Sequence, residues 1–151
     1  MPLPQTPSEL IASQLDWAHS NINNNLNFIP ADKLNWKPAP EAKSVIEIIN
    51  HATGTVNMFT ALLHGTSKSE LSPVTDLETA KAQITKVIQA HKSAVAALPP
   101  SEGEQMVSTP LGDLPKGLIA ALPVVELINH HGQITYIQTL LGDPESHLVI
   151  K

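Results

Sequence analysis

Two short segments of the chain each place a histidine four residues after a glutamate. Residues 45–51 have the sequence VIEIINH, and residues 124–130 have the closely similar sequence VVELINH. Residues four apart on a helix are offset by only about 40° around the axis and about 6 Å along it. Glu126 and His130 can therefore point at the same spot, where a carboxylate and an imidazole together suit a divalent cation.

A metal site of this kind needs a third ligand from another helix, and His51 is the best candidate. It lies between Ile48 and Thr55 at the edge of an apolar stripe, so we expect it to face the interior of the bundle. Two imidazoles and one carboxylate suit Zn²⁺ or Ni²⁺ and leave one position open. An open position lowers the pKa of a bound water or holds a thiol as its thiolate. The alternative is that Glu126 and His130 form an ordinary surface charge pair.

Glu47 has three competing interpretations. The sequence Ser44-Val45-Ile46-Glu47 predicts a capping box, in which the carboxylate accepts a hydrogen bond from the backbone of Ser44. The same carboxylate could instead bind the metal or hold His51 in place. Capping is the interpretation that this spacing favours.

The other histidines are weaker candidates for the site. His19 lies next to an apolar stripe and could approach the metal, whereas His91 lies within a stripe and fits a buried, hydrogen-bonded core residue. His131 follows His130 directly and therefore points about 100° away from it on a helix. His64 and His147 are expected to be solvated.

Four apolar patterns with helical spacing surround these residues and predict a four-helix bundle. The first begins at a capping box in residues 6–9 and ends before Pro30, and the second follows the box at 44–47 and stops at Gly65. The third begins at a box in residues 75–78. The fourth covers about 115–141 and contains Pro123, so we expect a kink or a restart there. Residues 101–114 fit a loop with a short extended piece at 105–109.

Composition narrows the class of protein. The chain has 151 residues, 42% of them apolar, which suits one domain over residues 1–151. It has no cysteine for disulfides, thiolate ligands or a nucleophile, and all nine basic residues are lysine. A net charge of −5 with five aromatic residues argues against nucleic-acid binding. No apolar run approaches a membrane span and residues 1–4 do not resemble a signal peptide, so we expect a cytoplasmic protein.

Three motifs of the chain belong together: LNWKPAP at 34–40, the Ser44 box leading to His51, and HHGQI at 130–134. In combination they resemble the DinB/YfiT-like family of metal-dependent proteins. The resemblance implies an all-α, up-down-down-up four-helix bundle that is often a homodimer. It also implies a metal held by one histidine of the second helix and a His-x-x-x-His pair of the fourth. The ligands would be His51, Glu126 and His130.

Glutamate at position 126 departs from the commonest pattern of that family. It is similar to what the mycothiol-dependent maleylpyruvate isomerase relatives show, and it leaves open that metal binding is weakened or lost. Gln133 matches the family's glutamine and either hydrogen-bonds a ligand or packs between helices. Trp36 is expected to close one end of the bundle, with stacking on a substrate as the alternative.

Two hypotheses on function follow from these features. In the first, the protein is a metal-dependent enzyme that transfers a small thiol or hydrolyses a small-molecule substrate. The thiol cofactors known for relatives carry carboxylates, which lysine would have to bind here because arginine is absent. In the second, the protein is a non-enzymatic dimeric bundle with a structural or lost metal site that binds a small ligand.

Overall fold

Four long helices dominate the computed structural model, which describes residues 3–150 and leaves Met1, Pro2 and Lys151 outside. Residues 1–4 were expected not to form a signal peptide, and the first two of them lie outside the described residues. The helices are α1 (Pro7–Leu26), α2 (Val45–His64), α3 (Leu77–Ala97) and α4 (Lys116–Leu140). None of the helices within 3–150 is long and apolar enough to cross a membrane.

The helix starts follow from local capping chemistry. The capping boxes predicted at residues 6–9 and 44–47 are confirmed in full. The box predicted at 75–78 is wrong by one residue, because Asp76 is the capping residue and Thr79 completes the box. The Asp76 carboxylate accepts the backbone N–H of Thr79 at 2.8 Å, and an ionised carboxylate is a stronger acceptor than a hydroxyl.

Side-chain contacts between helices establish their directions. Asn50 binds the backbone of Val74 at the start of both α2 and α3, and Thr60 contacts His91 further along, so these two helices are parallel. Helices α1 and α4 are also parallel to each other, and Asn25 contacts Gln138 between them. This pair runs antiparallel to the pair of α2 and α3. The contacts between the two pairs are Asp16–Lys92, Asn27–Lys81 and His51–His130. The expected up-down-down-up topology is confirmed.

Apolar side chains from all four helices fill the centre of the bundle. The larger cluster extends along most of its length and includes fully buried residues of each helix: Leu15, Ile22, Ile49, Ile84, Ile88, Leu127 and Ile134. Trp36 packs against this cluster. Helix α4 continues unbroken through the buried Pro123, so the expected restart does not occur.

A short hairpin replaces most of the predicted loop before α4. Strands β1 (Met106–Thr109) and β2 (Gly112–Pro115) pair antiparallel around a turn at residues 110–111. The extended piece was expected, but its partner strand was missed, because β2 has the sequence Gly-Asp-Leu-Pro and three of these four residue types have low strand propensity. Val107 and Leu114 bury part of their surface against a second, smaller core cluster that includes Phe59, Val95 and Ile119, and this packing stabilises the hairpin.

The connection from α2 to α3 has to cross the full length of the bundle. Because these helices are parallel, the end of α2 and the start of α3 lie at opposite ends, about 30 Å apart for a 20-residue helix. Residues 65–76 make this crossing without regular structure and are mostly exposed. Gly65 begins the connection with φ +65°, a left-handed conformation that ends the helix at little cost.

Candidate metal centre

His51, Glu126 and His130 come together on one side of the seam between α2 and α4. One ligand atom from each lies within 4.8 Å of the other two, and no other such group of three occurs within residues 3–150. The imidazole rings of His51 and His130 are 5.1 Å apart between centroids and nearly perpendicular. His130 is buried, Glu126 is partly buried and His51 is exposed. The group therefore lies at the rim of the seam, and the expectation that His51 faces the interior is wrong.

His130 is held by two acceptors. Its Nδ1 lies 2.9 Å from Oε1 of Gln133, and its Nε2 lies 3.2 Å from Oε2 of Glu126. A neutral imidazole carries one proton, and donating it to Gln133 leaves the lone pair of Nε2 facing the carboxylate. Two acceptors in contact need a proton or a cation between them. The donor set thus fits a metal bound by Nε2, with Gln133 fixing the tautomer as partners of metal-binding histidines do.

The distances within the group are close to those of a metal site. Zinc–ligand bonds of about 2.0–2.1 Å place any two ligand atoms at most about 4.2 Å apart. Glu126 and His130 meet this limit at 3.2 Å. The ligand atom of His51 lies within 4.8 Å of both, and because His51 is exposed, its ring has room to approach them.

The remaining candidates have other roles. Glu47 accepts the backbone N–H of Ser44 at 2.8 Å and pairs with Lys37 at 2.7 Å, so it is a capping residue and not a member of the three-residue group. The hydrogen bond from Lys37, followed by that from Ser44, holds the pKa of Glu47 below its usual value. His19 binds Thr85 across the seam of α1 and α3 and does not approach the group.

His91 is a buried core residue, as one interpretation predicted. Its Nε2 lies 2.9 Å from the carbonyl oxygen of Ala120 and its Nδ1 lies 2.9 Å from the hydroxyl of Thr60. Burial lowers the pKa of His91; the hydrogen bond to Ala120 opposes this effect and the nearby His64 adds to it. His64 itself is exposed, as expected.

His131 belongs to a separate polar network on the α1 side of α4. Its Nε2 lies 2.8 Å from Oδ1 of Asn25, whose amide nitrogen donates to Gln138 and to the backbone of Ser146. Asn25 has no exposed surface and Gln138 almost none. Sequence reasoning missed this network, although the five asparagines between positions 21 and 27 were a signal, because asparagine is unfavourable inside helices.

The same asparagines hold the C-terminal segment against α1. Asn21 both donates to and accepts from the backbone of Val149, and Asn24 donates to the backbone of His147. His147 also stacks on Phe28 and pairs with Asp143 at 2.8 Å. The expectation that His147 is solvated is therefore wrong, because the segment that carries it is fastened through its backbone.

The comparisons with known proteins agree with this architecture. The family model of the DinB superfamily matches residues 14–134. A conserved protein from Enterococcus faecalis has 15% identity and a TM-score of 0.77, covering 88% of this chain and 95% of its own. A DinB-like protein from Bacillus subtilis has 16% identity and a TM-score of 0.75, with coverage of 93% and 96%. One from Bacillus cereus has 14% identity and a TM-score of 0.72, with coverage of 87% and 91%.

Fold and site together define a helical bundle with a histidine–carboxylate group between its second and fourth helices. The chain belongs to the DinB superfamily, since that family model covers most of its length. The solved structures support the bundle fold, and no curated protein sequence matches the chain significantly.

Proposed function

We propose that the protein is a divalent-metal-dependent enzyme whose metal is held by His51, Glu126 and His130. One observation carries this proposal: Nε2 of His130 lies 3.2 Å from the carboxylate of Glu126, beside a second imidazole, that of His51. Zn²⁺ and Ni²⁺ are the cations that best suit two imidazoles and one carboxylate. A metal with three protein ligands would supply an open position that activates a thiol for transfer or a water for hydrolysis.

Each of the three residues has a distinct part in this proposal. His130 is buried and oriented by Gln133, so it supplies the fixed point of the site. Glu126 lies one helical turn before it and lowers the net charge of the bound cation. His51 is exposed and closes the group from α2, so binding the metal would join the two helices.

Metal binding is the first test. Zinc content of the purified protein is measured after loading and desalting, for the wild type and for His51→Ala, His130→Ala and Glu126→Gln. We expect one zinc per chain in the wild type and none in the two histidine variants. His64→Ala is the matched control, because this exposed histidine ends the same helix as His51 and should leave the zinc content unchanged. Full zinc binding by His130→Ala would refute the site.

The open position is tested with Co²⁺ in place of zinc. Addition of 2-mercaptoethanol should produce the near-ultraviolet band of a thiolate bound to Co²⁺, and the band should be absent from His130→Ala. A cobalt spectrum that does not respond to thiol, azide or any small anion indicates a closed coordination shell. That result would favour the non-enzymatic alternative, a bundle with a structural metal.

We also propose that the protein forms a homodimer through the outer face of α4. Residues at the helical spacing of this face are exposed and mostly apolar, and none of them is charged: Leu118, Val125, Asn129, Gly132, Tyr136 and Leu140. An uncharged apolar face on a helix is typical of an interface. Val125→Glu should convert the dimer to a monomer in analytical ultracentrifugation, whereas Leu111→Glu at the exposed hairpin tip should not.

A further inference from the structure

The C-terminal segment, residues 143–149, lies against α1 and α4 and is held there through its main chain. Six hydrogen bonds join its backbone groups to side-chain amides of the two helices, those of Asn21, Asn24, Asn25 and Gln138. We call these four side chains the amide site. Asn21 alone accepts the N–H of Val149 at 2.8 Å and donates to its carbonyl oxygen at 3.2 Å. Pairing of both main-chain groups is how a strand is added to the edge of a sheet, so the amide site is built to bind an extended peptide.

The amide site is buried, and its bonds are complete only while an extended chain covers it. Asn21 and Asn25 have no exposed surface, and Gln138 is 1% exposed. A buried donor or acceptor without a partner costs about 1–3 kcal/mol. The covered site is therefore favoured. When the segment leaves, another extended main chain is the replacement that restores all six bonds.

The side chains of the C-terminal segment take little part in this docking. Most of them are exposed, among them Glu145, Ser146 and Leu148. The exception is His147, whose ring stacks on Phe28. Because the amide site binds backbone groups, it does not distinguish its own segment from the same segment of another copy.

A single turn at Gly142 directs the segment back along α1. Helix α4 ends at Leu140, and Gly142 has φ +102°, a conformation that glycine adopts far more readily than other residues. The carbonyl oxygen of the next residue, Asp143, already accepts from Gln138 at 3.3 Å. Because glycine also adopts extended conformations, a change at this one residue redirects the segment away from its own chain. Short hinges favour the exchange of a terminal element between molecules.

We propose that the amide site also binds the C-terminal segment of a second copy of the chain, so that two molecules exchange these segments and form a dimer. Such an exchange rebuilds each of the six hydrogen bonds and is a low-cost route to a dimer. A second copy is the occupant that the contacts specify, because its segment also brings the His147 ring that stacks on Phe28. This interface goes beyond the proposed function, since it requires neither the metal nor the outer face of α4.

Introduced cysteines detect the exchange without interference, because the chain has no cysteine. The rings of Phe28 and His147 have centroids 3.4 Å apart, so thiols at these two positions meet when a segment is docked. Phe28→Cys and His147→Cys are made as separate full-length proteins. They are mixed and incubated at about 1 mM, which matches the millimolar effective concentration of a segment on a short link. After dilution and oxidation, we expect the mixed disulfide in about tenfold excess over either homodisulfide, since docking holds only the unlike thiols together.

Two controls complete this experiment. Leu111→Cys, at the exposed tip of the hairpin, replaces Phe28→Cys and measures the background from random collisions. The double variant Phe28→Cys/His147→Cys, kept dilute, should close the disulfide within one chain, because the segment then occupies its own amide site. A mixed disulfide no more abundant than the Leu111→Cys background would overturn the proposal, and so would a double variant that closes no disulfide.

Two proline variants of the His147→Cys protein test the recognition of the main chain. Val149→Pro removes the N–H that Asn21 accepts and should lower the yield of the mixed disulfide about tenfold, as expected when a buried acceptor loses its donor. Ile150→Pro is the matched control and should leave the yield unchanged, because the N–H of Ile150 donates to no residue within 3–150. An equal loss in both variants, or no loss in either, would refute recognition through Asn21.

Val125→Glu distinguishes this dimer from one formed through the outer face of α4. With the substitution in both proteins of the mixture, the mixed disulfide should persist, and a chelator should not change its yield. Loss of the mixed disulfide on either treatment would overturn the exchange as an interface of its own.

Discussion

Two buried histidines, one near each end of the bundle, have opposite hydrogen-bonding situations. His91 faces a carbonyl, which only accepts, and the hydroxyl of Thr60, whose single hydrogen has two acceptors at 2.9 Å, Nδ1 of His91 and the carbonyl oxygen of Val56. When that hydrogen points to Nδ1, a neutral ring satisfies both nitrogens. His130 faces the amide oxygen of Gln133 and the carboxylate of Glu126, both acceptors, so a neutral ring satisfies only one. Burial is similar, at 0% and 5% exposed. The number of acceptors around each ring therefore separates the two buried histidines.

The largest expected effect on stability comes from substitution of His91. His91→Ala removes a buried ring and leaves the carbonyl of Ala120 without its donor, so the free energy of unfolding should fall by about 3 kcal/mol. Urea unfolding followed by circular dichroism measures it. His64→Ala, exposed at the end of α2, should change stability by less than about 0.5 kcal/mol. A loss below about 1 kcal/mol for His91→Ala would show that its contacts are not structural.

Zinc should stabilise the fold only through the site that contains His130. A ligand that binds the native state alone, at one hundred times its dissociation constant, adds about 2.7 kcal/mol to the free energy of unfolding. We expect this gain in the wild type and none in His130→Ala, measured as the difference between unfolding curves with zinc and with chelator. Thr60→Val perturbs the His91 site and should retain the full gain. Its loss in Thr60→Val would mean that the two sites are coupled.

The pH dependence of stability reports on His91 together with His19 and His131, whose pKa values burial also lowers. Burial holds the pKa of His91 in the folded protein below the ordinary value of 6.5, which the unfolded chain retains. The unfolded state therefore binds a proton first as the pH falls below 6.5, and stability decreases from that point downward, by at most about 1.4 kcal/mol per pH unit for each histidine. His91→Gln should reduce the loss of stability between pH 7 and pH 5.5 in chelator-treated protein. An unchanged slope would contradict this assignment.

The smallest expected change in stability tests directly whether His130 faces one acceptor too many. Glu126→Gln allows an amide nitrogen to donate to the free lone pair of His130, so the metal-free variant should be more stable than the wild type by about 0.5–1 kcal/mol. Thermal unfolding in the presence of chelator measures the difference. Glu104→Gln, an exposed glutamate outside the helices, should have no effect. Destabilisation by Glu126→Gln would show that the carboxylate already has its proton or cation.

The sequence predicts the bundle well, because each helix start depends on local chemistry. The box of Ser44 and Glu47 needs only residues three apart, and it is present in the structure. Spacing likewise predicts that Glu126 and His130 lie together on one turn. The meeting of His51 with this pair depends on how α2 packs against α4, which the pattern within either helix does not determine.

Contacts between distant segments are the part that could not be predicted. The closed network of His131, Asn25 and Gln138 joins three positions from opposite ends of the chain. Whether His147 lies in water or on Phe28 depends on the same long-range docking of the C-terminal segment. No periodic pattern marks such pairs, because hydrogen bonds between side chains and backbone leave no regular spacing.

The exposed connection at residues 65–76 has a consequence for how the molecule can be taken apart. A protease that cuts there would leave two fragments of two helices each, and the candidate ligands would be divided between them. His51 would belong to the first fragment, and Glu126 and His130 to the second. Recovery of zinc affinity on mixing the fragments would then be a direct reporter of their reassembly.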